Sequence, residues 1–374
     1  MIRAERIDYF RDSLLAIASG KVAILLKEDS TWVYGREARY HDLTGVMVVT
    51  GDPWIESPGV AGDSAMVVHA DTLRLYQHES RGFADGNVRI DRGAVHARGG
   101  AAQFRLRENR VVLTREPSAW ESEGEIRADT LAIDLVAGHP DRLRALGNVQ
   151  VRYQPPGKRG EVNVVLGDTL VSRLDDDRIA GLDVTGNAIS LYLPSVNDAR
   201  NGSGRNVSRA RRIKVDLHRG EARAIELVDA ATGTYTYPGE KSVLVLHQPA
   251  KLDSLLGAPE DTLSAWPRPL SPLEKLFVET GALSLPDSIK TPYDALFDQT
   301  VEYEADTIRF YVREDRMRLL GHGRIKYGES SLESGDIEYL ARRELVLASA
   351  DPVLKDAVRD AAMAPAAVHS CVPA

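Results

Sequence analysis

The stretch Ala70-Asp71-Thr72-Leu73, followed 16 residues after its alanine by Gly86-Asn87-Val88, decides the fold of this chain because the pair recurs. The offsets from alanine to glycine in the four copies are 16, 16, 19 and 18 residues. A repeated strand–turn–strand unit cannot bury an apolar face alone, so the spacing predicts stacked β units in an elongated molecule, with each glycine at a strand start. The other three copies are Ala4-Glu5-Arg6-Ile7 with Gly20-Lys21-Val22, Ala128-Asp129-Thr130-Leu131 with Gly147-Asn148-Val149, and Ala305-Asp306-Thr307-Ile308 with Gly323-Arg324-Ile325.

Apolar and polar residues alternate with a period of two between residues 68 and 153. Leu73-Arg74-Leu75-Tyr76 and Phe104-Arg105-Leu106 show the pattern of strands with one buried face. Turn-forming stretches such as His78-Glu79-Ser80-Arg81-Gly82 separate these strands at the interval of about 8–12 residues that is typical of sandwiches and barrels. The pattern predicts an all-β fold.

An acidic residue precedes a proline after three of the valine-rich strands, at Asp52-Pro53, Glu116-Pro117 and Asp351-Pro352. Proline cannot donate a hydrogen bond to a β-ladder. These positions are therefore predicted to end strand pairing at a corner or an edge.

The chain is predicted to contain β-jellyroll repeats over residues 1–237, a proline-rich linker or insertion over 238–300, a further β unit over 301–356 and a disordered tail over 357–374. A degraded fourth unit begins at Gly167-Asp168-Thr169-Leu170 and continues at Gly186-Asn187-Ala188. Within the insertion, Ser271-Pro272-Leu273-Glu274 predicts a short helix, because serine caps helices, proline suits the first helical position and glutamate completes a capping box.

The composition excludes several classes of function. The 374 residues carry a formal net charge of −8, which disfavours binding to nucleic acid. No run approaches the roughly 18 apolar residues of a membrane span. The single cysteine, Cys371, excludes a disulfide within the chain. A strand-like sequence begins almost at Met1 without a charged and apolar leader, so either the protein is cytoplasmic or the start has been trimmed; we favour a native start that lies upstream.

Candidate metal ligands are scattered. His69, His78 and His96 are expected on the surfaces of separate strands, without the spacing of a zinc motif. Asp175-Asp176-Asp177 lacks the alternating oxygen ligands and the glycine of a calcium loop, and a solvated turn is favoured. The sequence predicts no metal and no cofactor.

Candidate catalytic groups are also weak. Gly62-Asp63-Ser64 lacks the second glycine of a nucleophile elbow, and Gly202 with Gly204 is not followed by a phosphate-binding lysine. The repeated carboxylates, such as Asp71 and Asp129, occur once in each unit, whereas a catalytic pair occurs once in a protein. We therefore expect a structural role for them and predict that the chain is not an enzyme.

An apolar interior is the remaining candidate site. If two sheets face each other, twelve apolar side chains point into one interior. Ordinary core packing is one interpretation; the other is that the sheets stand open along one seam and accept acyl chains, which the low aromatic content of 6% favours. The twelve candidate lipid-binding residues are Leu73, Leu75, Val88, Ile90, Phe104, Leu106, Val111, Leu113, Leu131, Ile133, Val149 and Val151.

The steps Ala84-Asp85-Gly86-Asn87-Val88 and Ala145-Leu146-Gly147-Asn148-Val149 carry a family resemblance. They resemble the OstA-like periplasmic domains of lipopolysaccharide transport, the β-jellyroll shared by LptA, LptC and the N-terminal part of LptD. The likeness is best from Ala70 to Tyr153 and looser over 4–56 and 303–356.

The resemblance implies an open, twisted jellyroll that holds the acyl chains of lipopolysaccharide or a related lipid. It also implies a periplasmic location, no catalysis, and end-to-end joining with similar jellyroll domains through exposed strand edges. The proline-rich insertion and the length of the chain depart from a single bridge domain. Two interpretations stay open: a fused bridge, or the front part of a longer outer-membrane protein.

Two other functions stay open. A structural or adhesive β-repeat protein would act through its strand edges and outer face, at positions such as Tyr76 and His96. A glycan-active β-solenoid enzyme would need a cluster of carboxylates on its outer face. An exposed terminal strand offers unpaired N–H and C=O groups, which predicts head-to-tail self-association or docking to a similar domain by strand addition.

Overall fold

The structure, a computed structural model, describes residues 1–26, 30–58, 64–121, 124–136, 139–154, 162–175, 178–192, 205–218, 221–237, 299–314, 316–327, 330–340 and 345–355. The predicted helix at Ser271-Pro272-Leu273-Glu274, its proline-rich surroundings and the predicted disordered tail lie outside these residues. Within them the chain forms 24 β-strands, three short 3-10 turns and no α-helix.

The strands are β1 Ile2–Arg3, β2 Arg6–Phe10, β3 Leu15–Leu26, β4 Thr31–His41, β5 Val46–Thr50, β6 Trp54–Ser57, β7 Met66–His69, β8 Thr72–Tyr76, β9 Arg81–Arg92, β10 Val95–Arg105, β11 Arg110–Thr114, β12 Ser118–Glu121, β13 Gly124–Arg127, β14 Thr130–Val136, β15 His139–Tyr153, β16 Asn163–Asp175, β17 Arg178–Tyr192, β18 Arg205–His218, β19 Glu221–Tyr237, β20 Gln299–Tyr311, β21 Arg316–Tyr327, β22 Ser330–Leu340, β23 Leu345–Ser349 and β24 Val353–Lys355.

The prediction of an all-β, jellyroll-like fold is confirmed, and neighbouring strands pair in antiparallel fashion. The chain divides into two compact units. The first comprises residues 1–151, 167–184 and 217–220, and the second comprises 152–166, 185–216 and 221–374. The division of the sequence at residues 237 and 301 stays a prediction.

Each long strand of the first unit pairs with two different short strands. The first part of β4 pairs with β6 and its second part with β5, while β9 pairs in the same way with β7 and β8. The change of partner occurs at a β-bulge, where the register between the long strands shifts. A bulge of this kind bends a strand, so each long strand contributes to two layers.

Two rings in the second unit show how sharply such a strand bends. Tyr303 and Phe310 lie on the two sides of the bulge in β20, and their ring centroids are 5.9 Å apart. Seven residues of straight strand would separate them by roughly 23 Å. The two parts of β20 therefore face each other across an interior.

The glycines that were predicted to start strands lie inside them instead. Gly86 is in the middle of β9, with φ +76°, and Asn87 follows with φ +46°. Two successive residues in the left-handed region turn the strand, and glycine adopts that region without a steric penalty. The same pair of conformations occurs at Gly20-Lys21, Gly147-Asn148, Gly186-Asn187 and Gly321-His322.

The fourth copy of the repeat was therefore assigned two residues too late. The residue with positive φ is Gly321, not Gly323. With this correction, three of the four alanine-to-glycine offsets become 16 residues, because Gly321 lies 16 residues after Ala305. Only the copy that ends at Gly147 is longer.

The acidic residue before proline forms a second kind of corner. Gly51 and Asp52 have φ values of +76° and +52°, and the equivalent pairs before Pro117 and Pro352 are also left-handed. β5 ends just before this corner and β6 begins just after it, at Trp54. The prediction that these prolines mark the end of pairing at a corner is confirmed.

Candidate functional site

The apolar interior of the first unit contains two rows of side chains that cross the same ten strands, from β2 to β15. The row next to the bends, here called the corner row, consists of Ile7, Ala18, Ala38, Val49, Leu73, Ala84, Ala102, Leu113, Leu131 and Ala145. The next row outward, the margin row, consists of Tyr9, Ala16, Tyr40, Met47, Leu75, Gly82, Phe104, Val111, Ile133 and Leu143.

A third row, the facing row, belongs to the other layer of the same unit. It consists of Ile2, Ile24, Val33, Ile55, Val68, Ile90, Ala97, Ala119 and Ile126. Apart from Ile2 on the first strand, these side chains are buried. Within each of the three rows, residues on neighbouring strands lie directly opposite one another. The three rows together line the apolar interior.

Eleven of the twelve predicted interior residues are buried, and most of them belong to these rows. Leu73, Leu113 and Leu131 lie in the corner row, and Leu75 and Phe104 lie in the margin row. Burial is a property of both a packed core and a closed slot, so their role in lipid binding stays a proposal.

Leu106 differs from the other predicted interior residues. The alternation in the sequence predicts that it continues the strand of Phe104, and this is wrong, because β10 ends at Arg105 and Leu106–Glu108 forms a 3-10 turn. Period-two alternation does not reveal where a strand gives way to a tight turn.

Burial in the interior falls off with distance from the corners. Leu73, Leu113 and Leu131 of the corner row are fully buried. In the margin row, Leu75 is 9% exposed and Phe104 is 7% exposed. The interior side chains are therefore fully buried near the corners, and those of the margin row lie closer to solvent.

The first strands expose the apolar rows. In β2, Ile7 is 52% exposed and Tyr9 is 57% exposed, although both point to the interior face, as their neighbours across β3 show. β2 pairs with β3 and leaves its other edge free of a partner strand within the described residues. The apolar interior is thus open to solvent at this end of the first unit.

The repeated aspartates have a structural function at the corners. The backbone N–H of Asp71 donates to the carbonyl of Gly86 at 2.9 Å, and the amide Nδ2 of Asn87 donates to Oδ2 of Asp71 at 2.9 Å. Asp129 and Asn148 repeat both contacts at the same distances. We call this arrangement the corner clasp. It explains why an acidic residue and a glycine recur together in each copy of the repeat.

The clasp tolerates other side chains that can donate to a carboxylate. Lys21 forms an ion pair with Glu5 at 3.1 Å in the first copy. His322 places Nδ1 at 2.9 Å from Oδ2 of Asp306 in the last. The carboxylates that the sequence repeats are therefore engaged at bends in the chain.

The second unit contains a similar row of fully buried side chains: Leu227, Ile308, Leu319 and Ile337 are directly opposite one another on successive strands. A row in the other layer ends at Leu354 of β24, which is 55% exposed beside the buried Leu332.

A buried polar cluster interrupts the interior of the second unit. The hydroxyl of Tyr303 donates to Oδ1 of Asn206 at 2.7 Å and lies 2.9 Å from Oγ of Ser208. Burial raises the pKa of Tyr303, and the hydrogen bonds only partly offset this effect. Sequence reasoning missed the cluster, although Asn206 and Ser208 occupy alternate positions of a strand pattern that otherwise places apolar residues inside.

On the outer face of the same unit, Glu226 accepts hydrogen bonds from Arg309 at 2.7 Å and Lys214 at 3.2 Å. Burial alone would raise the pKa of Glu226, but these two cations lower it below its usual value. The group is an ion pair on a strand surface.

The predicted surface histidines occupy different kinds of element. His69 and His96 lie on β7 and β10, whereas His78 lies in the 3-10 turn Gln77–Glu79, so its assignment to a strand is wrong. Among the residues that the structure describes, no three His, Cys, Asp or Glu side chains are grouped as a metal site would require. In the same residues, no helix has the length and apolarity needed to cross a membrane.

Comparison with solved structures gives several matching chains, among them a periplasmic transport component. LptH from Pseudomonas aeruginosa, described as the LptA homologous periplasmic component of the conserved lipopolysaccharide transport device, matches with 14% sequence identity and a TM-score of 0.28. The match covers 31% of this chain and 81% of LptH. No family model matches the sequence. No curated protein matches it either.

Proposed function

We propose that this chain is a non-enzymatic component of a periplasmic bridge that carries lipopolysaccharide or a related lipid toward the outer membrane. The observation that carries the proposal is the corner row, which crosses ten strands without a polar interruption and becomes exposed at Ile7. The sequence resemblance to OstA-like domains supplies the class of lipid.

The dimensions of the interior suit acyl chains. Ten strands at a spacing of about 4.8 Å extend over roughly 43 Å. Each methylene group that leaves water for such an interior gains about 0.8 kcal/mol, so an acyl chain has a strong preference for it over solvent. The rows consist mainly of Ala, Val, Leu and Ile, whose side chains offer no hydrogen bonds that would fix a lipid in one place.

Lipid entry is proposed to occur at the margin and not at the corners. The corner clasps hold the two layers together through backbone and side-chain hydrogen bonds at Asp71 and Asp129. Leu75 and Phe104 lie on the side away from these clasps, where the buried surface begins to meet solvent. Separation of the layers at the margin therefore breaks fewer hydrogen bonds than separation at the corners.

Photocrosslinking in cells tests this proposal. A photoreactive amino acid at Phe104 or Leu113 is expected to form a covalent adduct with lipopolysaccharide, which a shifted band and an antibody against the lipid would detect. Arg105 is the matched control, because it neighbours Phe104 but belongs to the outer face, where it contacts Gln103. Absence of a lipid adduct at both interior positions would mean that the rows form an ordinary packed core.

The exposed β2 is proposed to dock another jellyroll domain or a second copy of this chain by strand addition. Strand addition would continue the apolar rows beyond Ile7 and Tyr9. Ile7→Lys is expected to reduce self-association in analytical ultracentrifugation, since it places a charge in the continued row. Phe10→Lys is the control, because Phe10 is similarly exposed on the other face of β2. Equal sedimentation of the unchanged protein at all concentrations, with no binding to a jellyroll partner, would contradict the proposal.

A further inference from the structure

The ring of Tyr303 fills the interior of the second unit at β20. Gly233 lies directly opposite Tyr303 on the neighbouring strand β19, and a Cβ at Gly233 would overlap the ring. The ring also contacts Phe310 in an edge-to-face arrangement, across the two parts of β20 that face each other. The ring of Tyr303 therefore occupies the space that Gly233 leaves free and closes the interior at this strand.

The hydroxyl of Tyr303 holds the ring in this position. It extends to β18, where Oδ1 of Asn206 accepts its hydrogen bond at 2.7 Å. Oγ of Ser208 lies 2.9 Å from the hydroxyl and donates to the same Oδ1 at 2.7 Å. All three side chains are buried, and a buried hydroxyl that loses such partners loses free energy. Asn206 and Ser208 keep their mutual hydrogen bond if the ring moves away.

Apolar side chains lead from the last strand of the second unit to Tyr303. Ile325 is directly opposite Tyr303 on β21, Leu332 follows on β22 and Leu354 follows on β24. Leu332 is buried, whereas Leu354 is exposed. This row thus begins in solvent and ends at the ring of Tyr303.

The strand that carries Gly233 bends without a glycine. The bulge of β19 opposite β20 contains Asp229 and Ala230, with φ values of +65° and +52°. The five bends described above begin with a glycine, which adopts this region without a steric penalty, whereas Ala230 carries a Cβ into it. The bend of β19 is therefore strained, so local opening costs less there than at a bend that begins with glycine.

We propose that Tyr303 is a latch that admits acyl chains to the interior of the second unit. In the closed form the ring lies against Gly233. In the open form the hydroxyl leaves Asn206, and a methylene chain takes the place of the ring. An acyl chain in this place continues the apolar row that ends at Ile325, and the burial of its methylene groups favours the open form. The inference rests on the proposed function and adds the position in the second unit at which the passage of lipid is controlled.

Hydrogen exchange of the purified full chain, without lipid, tests whether the latch opens at β19. In the unchanged protein, amides of β19 are expected to exchange faster than those of β22, because strained segments open locally. Tyr303→Phe removes the hydroxyl and keeps the ring. It is expected to speed exchange in β19 and β20 about tenfold, which corresponds to about 1.4 kcal/mol, and to leave β22 unchanged.

Two further variants accompany this measurement. Ala230→Asn is expected to slow exchange in β19 several-fold, since asparagine tolerates the left-handed conformation better than alanine. Tyr311→Phe is the matched control, because Tyr311 is half-buried at the end of the same strand and its ring contacts the guanidinium of Arg316 at 3.9 Å, away from the latch. It is expected to leave the exchange of β19 unchanged.

Photocrosslinking in cells tests whether lipid follows the opening. With a photoreactive amino acid at Ile325, Tyr303→Phe is expected to raise the yield of the lipopolysaccharide adduct several-fold. Arg324 is the control position, because it lies on the outer face and pairs with Glu304 at 3.4 Å. A purely structural role of the hydroxyl predicts no increase at Ile325.

The outcomes separate this inference from the proposed function. An adduct at Phe104 together with an unchanged yield at Ile325 would overturn the latch and leave the bridge intact, whereas no adduct at either position would overturn both. Faster exchange spread equally over β19 and β22 would assign Tyr303 to an ordinary packed core. If Tyr303→Phe does not fold, the exchange of the unchanged protein and of Ala230→Asn still decides: equal rates in β19 and β22, with no slowing by Ala230→Asn, overturn the latch.

Discussion

Gly86→Ala is expected to destabilise the first unit by about 2–4 kcal/mol. An alanine in the left-handed conformation costs about 1–2 kcal/mol by itself. A Cβ at this position would also lie 2.7 Å from Cγ of Asp71, so the clasp with Asn87 must open or the strand must shift. Urea unfolding followed by tryptophan emission measures the effect, because Trp32, Trp54 and Trp120 report on this unit.

Gly93→Ala is the matched control for the clasp. Gly93 also has a positive φ, of +55°, but it lies in the exposed turn between β9 and β10. Its replacement is expected to cost only the backbone term, about 1–2 kcal/mol. Equal losses at Gly86 and Gly93 would mean that the clasp adds nothing to the cost of the backbone conformation.

Leu131→Ala is expected to lower the free energy of unfolding by about 2–5 kcal/mol, the usual range for removing a fully buried leucine. Leu131 lies in the corner row between Leu113 and Ala145, next to the clasp of Asp129. Since the clasp holds the residue before β14 to β15, a backbone shift that would close the cavity is opposed on that side.

The adjacent Thr130→Ala is the control for this change. Thr130 is half-buried on the other face of β14 and is expected to change stability by about 0.5 kcal/mol or less. Chemical denaturation measures both variants. A loss below about 1 kcal/mol for Leu131→Ala would indicate that the corner row is loosely packed, contrary to the burial of its leucines.

The sequence predicted the interior better than it predicted the corners. Alternation identified Leu73, Leu113 and Leu131 because one face of each strand is buried. This pattern can be recognised within the sequence of a single strand. Gly86-Asn87 was misinterpreted as a strand start because glycine and asparagine commonly occupy the turns that bound strands. The pairing of β9 with β10 on both sides of Gly86 shows that the strand continues through it.

The placement of three tryptophans on one outer face of the first unit was missed for a related reason. Trp32, Trp54 and Trp120 are far apart in the sequence, and their proximity depends on how β4, β6 and β12 are placed in one layer. A signal was nevertheless present, since each tryptophan adjoins a residue of the facing row: Val33, Ile55 and Ala119. Their outward direction follows from alternation, whereas their assembly into one surface depends on strand order.

The single longer copy of the repeat shows where this architecture can accept additional residues. Ala128 and Gly147 are separated by 19 residues instead of 16, yet Asp129 and Asn148 form the same clasp as Asp71 and Asn87. The three additional residues lie where β14 meets β15, near Val136, at the end of the hairpin farthest from the bend. The register between the two strands shifts there. Hairpin length and bend geometry are therefore uncoupled in this copy: the outer end of the hairpin is three residues longer, while the bend keeps the same clasp.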